Sequence, residues 1–195
     1  MHVNKKAQQA EQTRALLERT ARELFEARGY AAVSAEELVA AAGVTRGALY
    51  HHYEGKQGLF EAVAEAAMQR LHDHIGQAAG GAPDALTGLR AGIHRFLELS
   101  SAPRLQRVLF IDAPAVMGWQ RWRELDSRYG LGMLKQGIGI AIASGQMRKQ
   151  SVDLAAHVLL SVMIEVAMLI AAADHKAQAR EEAEAILLRL LTSLS

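Results

Sequence analysis

The sequence predicts an all-α protein of about nine helices, and three observations support this. Apolar residues recur at spacings of three and four along most of the chain, and no segment alternates like a β-hairpin. All three prolines, Pro83, Pro103 and Pro114, lie in one stretch, so segments 1–82 and 115–195 lack the residue that most strongly breaks helices. Half of the 195 residues are hydrophobic and 22% are charged, which is typical of a packed globular chain.

The first two predicted helices are bounded by local signals. The first runs from about Thr13 to Arg28, and Gly29, a residue type that commonly stops a helix, follows it. Its apolar face consists of Leu17, Ala21, Leu24 and Phe25. Ser34 and Glu37 have the spacing of a capping box, so they predict a second helix that ends at Gly43.

Thr45 caps the third predicted helix, which runs from Arg46 to about His52. Only Gly43, Val44 and Thr45 separate it from the second helix. Two short helices joined by a three- or four-residue turn that contains glycine are typical of a helix-turn-helix.

The remaining predicted helices form the larger part of the chain. They span about Lys56–Ile75, Asp84–Leu99, Arg104–Ile111, Gly118–Ser144, Ser151–Ala173 and Ala177–Leu194. We expect the glycine-rich run Gly76–Pro83 to interrupt the chain after the fourth helix, and Pro114 to stop or kink it between two helices. We divide the chain into a helix-turn-helix domain, residues 1–56, and a helical body, residues 57–195, with the fourth helix as the link.

The charge balance excludes binding to nucleic acid through a general basic field. The chain has 22 Lys and Arg against 21 Asp and Glu, a net charge of +1. Residues 1–56 are also nearly neutral, with eight Lys and Arg against seven Glu. Any DNA contact must therefore depend on a few placed side chains.

No group of residues predicts catalysis, a cofactor or a metal site. The chain has no cysteine, which excludes disulfides, thiolate chemistry and cysteine-ligated metals. His72 and His74 are two residues apart on a predicted helix, so they point about 200° apart and cannot share one ion. Phosphate-binding loops, zinc-protease motifs and nucleophile elbows are also missing from the sequence. We therefore predict that the protein is not an enzyme.

One segment, Ala155–Ala173, is apolar enough to suggest a membrane span, but it carries His157, Ser161 and Glu165. We interpret it as a buried helix. The polar N-terminus lacks the apolar core of a secretory signal. These features predict a cytoplasmic protein without a membrane partner.

The third helix carries residue types that bind DNA. The second helix of a helix-turn-helix enters the major groove with its N-terminal residues near the bases. Hydroxyls, exposed helix amides and lysine suit phosphates, while arginine can bind guanine with two hydrogen bonds. The candidates are Thr45, Arg46, Gly47, Tyr50, His51, His52 and Lys56. On spacing alone, DNA binding and an ordinary solvated helix face both remain open.

A resemblance to a known family favours DNA binding. Residues 24–30, Leu-Phe-Glu-Ala-Arg-Gly-Tyr, and residues 40–53, Ala-Ala-Ala-Gly-Val-Thr-Arg-Gly-Ala-Leu-Tyr-His-His-Tyr, are followed by Lys56. In this order and spacing they resemble the N-terminal domain of the tetracycline-repressor (TetR) family, over about fifty residues. The family comprises homodimeric, all-helical transcription factors that bind palindromic operators and release them when a small molecule enters the C-terminal domain.

The resemblance implies roles for individual residues. Those implied to face DNA are Thr45, Arg46, Gly47, Tyr50, His51 and Lys56. Those implied to pack the small domain are Leu38, Ala42, Val44, Leu49 and Tyr53. Tyr53 departs from the more common Phe, so we expect its hydroxyl at the domain edge. Gly55 replaces the usual small polar cap before Lys56, and glycine caps with only a modest loss.

The helical body should supply a ligand pocket and a dimer surface. The pocket candidates are mainly aromatic and Met side chains on the middle helices: Phe96, Phe110, Trp119, Trp122, Tyr129, Met133, Met163 and, as a polar anchor, Glu165. Such a stripe also suits an ordinary core. The apolar faces of the last two helices predict a four-helix dimer interface, although they could instead cover this chain's own core. The face shared by His157, Ser161 and Glu165 could meet the pocket, a partner or solvent.

These inferences predict a ligand-responsive, DNA-binding transcriptional regulator that represses its target. Its expected partners are double-stranded operator DNA, a small-molecule effector and a second copy of the chain. The alternative is a helical small-molecule-binding or protein-interaction protein that kept the fold without operator binding.

Overall fold

In a computed structural model, residues 5–194 are described and consist of helices joined by short turns, without a strand in that range. We number nine helices and treat α6 as one continuous run of a short α-helix, a π-helix and another α-helix. The helices are α1 Lys5–Arg28, α2 Ala35–Ala42, α3 Arg46–Tyr53, α4 Lys56–Gly80, α5 Ala85–Ser100, α6 Pro103–Gln106 with Arg107–Asp112 and Ala113–Met117, α7 Trp119–Ala143, α8 Val152–Ala172 and α9 Lys176–Ser193. The predicted all-α fold is confirmed.

The local signals around α2 and α3 act as predicted. The Ser34 hydroxyl accepts a hydrogen bond from the Glu37 amide at 3.0 Å, and the Thr45 hydroxyl accepts one from the Ala48 amide at 3.2 Å. Gly43 ends α2 with a φ of 65°, a conformation that suits glycine. The carboxylate of Glu37 pairs with Arg28 at the end of α1. These contacts fix where α2 and α3 begin and how α2 is held against the end of α1.

Two predicted boundaries are wrong, because neither a polar composition nor a run of glycines by itself ends a helix. Helix α1 begins at Lys5, eight residues before Thr13, since residues 5–12 are mostly Lys, Ala, Gln and Glu, which favour helix. Helix α4 continues through the glycine-rich run to Gly80. Its last turns pack closely on α5, where a Cβ on Gly88 would lie 2.9 Å from the Ala79 carbonyl oxygen. This tight packing offsets the low helix propensity of glycine.

Pro114 does not separate two helices. The π-helical turn ends at Asp112, so Pro114 lies in the first turn of the following α-helical piece, where a missing amide hydrogen is tolerated. The chain turns instead at Gly118, whose φ is 83°. The predicted break is therefore displaced by four residues.

Helix α4 is the central element of the fold. It packs on α1 and α3 of the small domain and on α5 and α7 of the body. Helices α8 and α9 pack against the far side of α5 and α7. The side chains of Leu38, Ala42, Leu49 and Tyr53 are buried in the small domain as expected, and Val44 is partly buried beside them. The Tyr53 hydroxyl donates to Glu18 at 2.6 Å at the domain edge.

Helix α8 is, by length and composition, able to cross a membrane, and it is the one such helix in the described chain. Only 44% of its most apolar stretch is buried inside the subunit. The interpretation as a buried helix therefore holds for one face, while the other face meets solvent in the isolated chain.

Asp126 on α7 provides a test of the body's packing. Burial raises the pKa of its carboxyl group to about 7, and its Oδ2 has no hydrogen-bond partner among the described residues. Above about pH 4 the unfolded chain loses this proton, whereas the folded chain keeps it until about pH 7, so stability should fall across that interval. We expect Asp126→Asn to raise the thermal midpoint by at least about 5 °C at pH 8.

The same substitution should leave the midpoint nearly unchanged at about pH 2.5, because wild-type Asp126 is then protonated in both the folded and the unfolded state. Thermal unfolding followed by circular dichroism at the two pH values measures this difference. Asp174→Asn, at an exposed position, is the matched control and should change neither value. Equal midpoints for wild type and Asp126→Asn at pH 8 would contradict the prediction.

Candidate functional site

The N-terminal half of α3 projects from the small domain. Leu49 and Tyr53 point into the core, which turns Arg46, Gly47, Tyr50 and His51 outwards. Thr45 caps the helix at the same end. The structure thus brings five of the six predicted DNA-facing residues onto one exposed surface.

Arg46 and Tyr50 form a pair on this surface. The Arg46 guanidinium lies 5.5 Å from the centre of the Tyr50 ring and 3.2 Å from the Glu36 carboxylate on α2. Both side chains of the ion pair are largely exposed, so the pair contributes little stability. A Cβ at Gly47 would touch only the Thr45 hydroxyl, at 3.8 Å. Packing within the chain therefore does not require glycine at position 47. A close approach of another molecule to this surface would require it.

Lys56 is set back from the other five residues. Its ammonium lies 3.8 Å from the centre of the Tyr30 ring, and partial burial lowers its pKa. The preceding Gly55 has a φ of 108°, and a Cβ there would lie 3.2 Å from the Tyr50 ring. Backbone conformation thus explains why glycine replaces a polar cap at this position.

A contact that the sequence did not predict joins the small domain to the body. The Tyr30 amide donates to Oδ2 of Asp112, in the π-helical part of α6, at 2.8 Å. The Tyr30 ring also packs on Phe25 and Phe60, at centroid distances of 5.8 and 5.0 Å. Tyr30 therefore touches both α6 and the lysine at the start of α4.

The body encloses a cavity of about 60 Å³ among α4, α5, α7 and α8. His72 contributes the one polar side chain among residues that are otherwise aliphatic, aromatic, Met or Gly. The lining residues are His72, Ile75, Ala79, Gly88, Leu89, Gly92, Ile93, Phe96, Gly130, Met133, Leu134, Leu160 and Met163.

Three predicted ligand-binding residues line this cavity: Phe96, Met133 and Met163. Phe110 and Trp122 lie beside it in a buried aromatic row, in which Phe110 is 6.2 Å from both Phe96 and Trp122. These two predicted ligand-binding residues are therefore part of the aromatic core beside the cavity.

The other three predicted ligand-binding residues lie elsewhere. Trp119 is half exposed, because it is the first residue of α7 and follows the turn at Gly118. Glu165 lies on the exposed face of α8, since Met163 and Ile164 occupy the buried face. The Tyr129 hydroxyl donates to Glu65 at 3.2 Å, outside the cavity lining.

His72 was missed as a ligand-binding candidate. Its Nδ1 is 2.9 Å from the Met68 carbonyl oxygen, and burial lowers its pKa. Its ring stacks on Tyr129 with centroids 6.0 Å apart, and a Cβ at Gly130 would lie 2.8 Å from Nε2. The sequence placed His72 on a helix but gave no sign that α5, α7 and α8 close around it.

A more open groove of about 520 Å³ adjoins the cavity. The two spaces share Ala79, Gly88, Leu89 and Met133 in their walls. A Cβ at Gly137, on the groove side, would lie 2.7 Å from the Leu89 side chain. Leu89 and Met133 thus lie where cavity and groove meet.

The outer face of α8 and α9 exposes apolar side chains: Leu154 at 68%, Val158 at 53%, Leu169 at 60% and Ile186 at 51%. His157, Ser161 and Glu165 lie among them on α8 and are also exposed. A concentration of exposed apolar side chains on one face of a globular protein typically marks an interaction surface.

Two family profiles match this chain. The profile described as bacterial regulatory proteins, tetR family, matches residues 17–63. The profile described as tetracyclin repressor-like, C-terminal domain, matches residues 86–194, which is more than half of the chain. The first match contains α3 and the start of α4, and the second contains three walls of the cavity.

Similar proteins include solved and curated examples. The crystal structure of a TetR-family transcriptional regulator from Pectobacterium atrosepticum is 31% identical, covers 95% of both chains and has a TM-score of 0.86. The HTH-type transcriptional regulator TtgR of Pseudomonas putida is 34% identical over 39% of this chain, and AcrR of Shigella flexneri is 32% identical over 55%. These matches span 36% of TtgR and 50% of AcrR.

Proposed function

Because the chain belongs to the TetR family of bacterial regulatory proteins, we propose that it is a ligand-responsive repressor that binds a palindromic operator as a homodimer. The family's role is regulatory rather than enzymatic. The proposed DNA-binding domain comprises residues 1–56, and the proposed ligand-binding and dimerisation domain comprises residues 57–195. The proposed location is the cytoplasm, where operator DNA is accessible.

The exposed surface of α3 is the observation that carries this proposal. It presents a capped helix N-terminus, an arginine and a tyrosine, while the opposite side of the same helix is buried. We propose that Arg46 reads a base edge, that Thr45, Tyr50 and His51 position the helix on phosphates, and that Gly47 allows close approach. Lys56 would bind a phosphate after leaving the Tyr30 ring.

Release of DNA would follow from a population shift. DNA favours a dimer whose recognition helices fit successive major grooves, about 34–36 Å apart, and the effector favours another separation. The cavity borders α4, whose first turn touches α3, and the Tyr30–Asp112 contact joins α6 to the same region. A coupling free energy of about 1–3 kcal/mol would change operator affinity by about 5–150-fold.

Arg46→Ala and Tyr50→Ala test the proposed DNA surface. Each substitution removes an exposed side chain, so folding should be unaffected, while Arg46→Ala should weaken binding by at least about tenfold through loss of a base contact. A gel-shift titration with the DNA upstream of this chain's own gene measures the affinity. Arg148→Ala, at an exposed site in the body, is the charge-matched control. Equal affinity of wild type and both α3 variants would reject the proposed site.

A further inference from the structure

We propose that the effector is a neutral, largely apolar small molecule with one hydroxyl or N–H group, which it donates to Nε2 of His72 inside the cavity among α4, α5, α7 and α8. This inference rests on the proposed function, because it assigns the chemistry of the ligand that the regulator responds to. It concerns a residue that the sequence motifs did not single out.

The hydrogen bond on the other ring nitrogen fixes His72 as an acceptor. The Met68 carbonyl oxygen can only accept, so the Nδ1 atom, 2.9 Å away, must carry the proton. Burial lowers the pKa of His72, which keeps the ring neutral near pH 7. In a neutral imidazole with a protonated Nδ1, Nε2 offers a lone pair.

The surroundings hold this acceptor in place and keep it open. Tyr129 stacks on one face of the ring at an interplanar angle of 30°, and its hydroxyl is anchored to Glu65. Gly130 leaves the space next to Nε2 free, because a Cβ there would lie 2.8 Å from Nε2 and 3.1 Å from Leu160. Within the described residues, Nε2 has no hydrogen-bond partner of its own. A preorganised acceptor of this kind loses little entropy when a ligand donates to it.

The rest of the lining determines the charge of the ligand. No Asp, Glu, Lys or Arg is among the residues that line the cavity. An ammonium or carboxylate would lose its hydration without gaining an ionic partner, which is costly in an apolar site. A molecule with many polar groups would leave all but one of them unpaired. The cavity therefore selects a neutral ligand with a single donor.

The dimensions indicate how such a ligand enters. The 60 Å³ cavity is small, but it adjoins a groove of about 520 Å³, and Leu89 and Met133 line both spaces. Methionine is unbranched and flexible, so Met133 can move aside with little strain. A ligand can then place its donor at His72 and extend its apolar part towards the groove.

Phenol, toluene and benzoate are suitable probes because they share one ring and differ in one substituent. Binding of each to the full-length protein is measured by calorimetric titration, for wild type, His72→Leu and Gly130→Ala. His72→Leu removes the acceptor, and Gly130→Ala keeps the histidine but places a Cβ so close to Nε2 that the acceptor is covered or displaced. We expect each substitution to reduce the affinity for phenol relative to toluene by about 5–150-fold, because the hydroxyl is left unpaired. Benzoate should not bind to wild type.

A readout on wild type alone guards against misfolded variants. Phenol, but not toluene, should shift the ¹⁵N resonance of His72 Nε2 in an NMR titration. The inference is overturned if that resonance does not respond, if the phenol-to-toluene ratio is the same in all three proteins, or if benzoate binds. Selective phenol binding that leaves operator affinity unchanged would uphold the ligand preference of the cavity and overturn its role as the effector site.

Discussion

A Gly58→Ala variant is expected to lose operator binding and to destabilise the small domain by about 3 kcal/mol. The sharp turn at Glu54 and Gly55, both with positive φ, folds the end of α3 back onto the first turn of α4. A Cβ on Gly58 would there overlap the backbone carbonyl oxygen of Tyr53. Because backbone atoms cannot move aside as a flexible side chain can, α3 must shift or unfold.

Gly80→Ala is the matched control for this variant. Gly80 lies in the same helix, and a Cβ there would meet nothing within 4 Å. Alanine favours helix over glycine by about 0.5–1 kcal/mol, so this variant should be as stable as wild type or slightly more stable. Gel-shift affinity and thermal unfolding measure both substitutions. If Gly58→Ala bound the operator with wild-type affinity, the backbone contact between α3 and α4 would not exist in solution.

A Val158→Asp variant is expected to convert the dimer into monomers. Val158 lies in the middle of the exposed apolar face of α8, between Leu154 and Ser161. In a two-fold symmetric interface each substitution introduces two carboxylates, and an unpaired buried charge costs about 3–5 kcal/mol. The dimer dissociation constant should therefore rise by at least about 100-fold.

Size-exclusion chromatography with light scattering checks this result, since the monomer has a mass of 21.2 kDa. Ile140→Asp is the control, because Ile140 is similarly exposed but lies on α7. The monomeric variant should also lose operator affinity, since each subunit alone reads one half-site. A Val158→Asp protein that remained dimeric would assign the dimer to another surface.

The sequence predicted features whose causes lie within a few residues of each other. Ser34, Gly43 and Thr45 bound their helices through contacts three or four residues away, so spacing alone identified them. The extension of α4 through Gly76 to Gly80 was missed because it depends on packing against α5. The local glycine content predicts that the helix ends before Gly76.

The features of the candidate site also divide into those that local sequence predicts and those that depend on distant contacts. The residues predicted to face DNA follow one another along α3, so the helical period is enough to predict that they share one exposed surface. The Tyr30–Asp112 hydrogen bond joins residues 82 positions apart, and no local pattern announces it. His72 was considered only with His74, because the sequence cannot show which helices close around a buried ring. Trp119 was placed in the pocket because helical spacing does not reveal how the turn at Gly118 directs the first residue of α7.

Helix α4 is a single uninterrupted helix, so it moves as a rigid body. Its 25 residues span about 37 Å at 1.5 Å per residue, and no proline interrupts them. Its N-terminal end contacts α3 at Gly58, while its C-terminal end forms a wall of the cavity at Ile75 and Ala79. A tilt of about 5° about its midpoint would displace each end by about 1.6 Å. In the proposed dimer, two-fold symmetry would double that displacement to about 3 Å between the two subunits, so a small ligand-induced shift of one cavity wall would be enough to disturb the proposed fit to DNA.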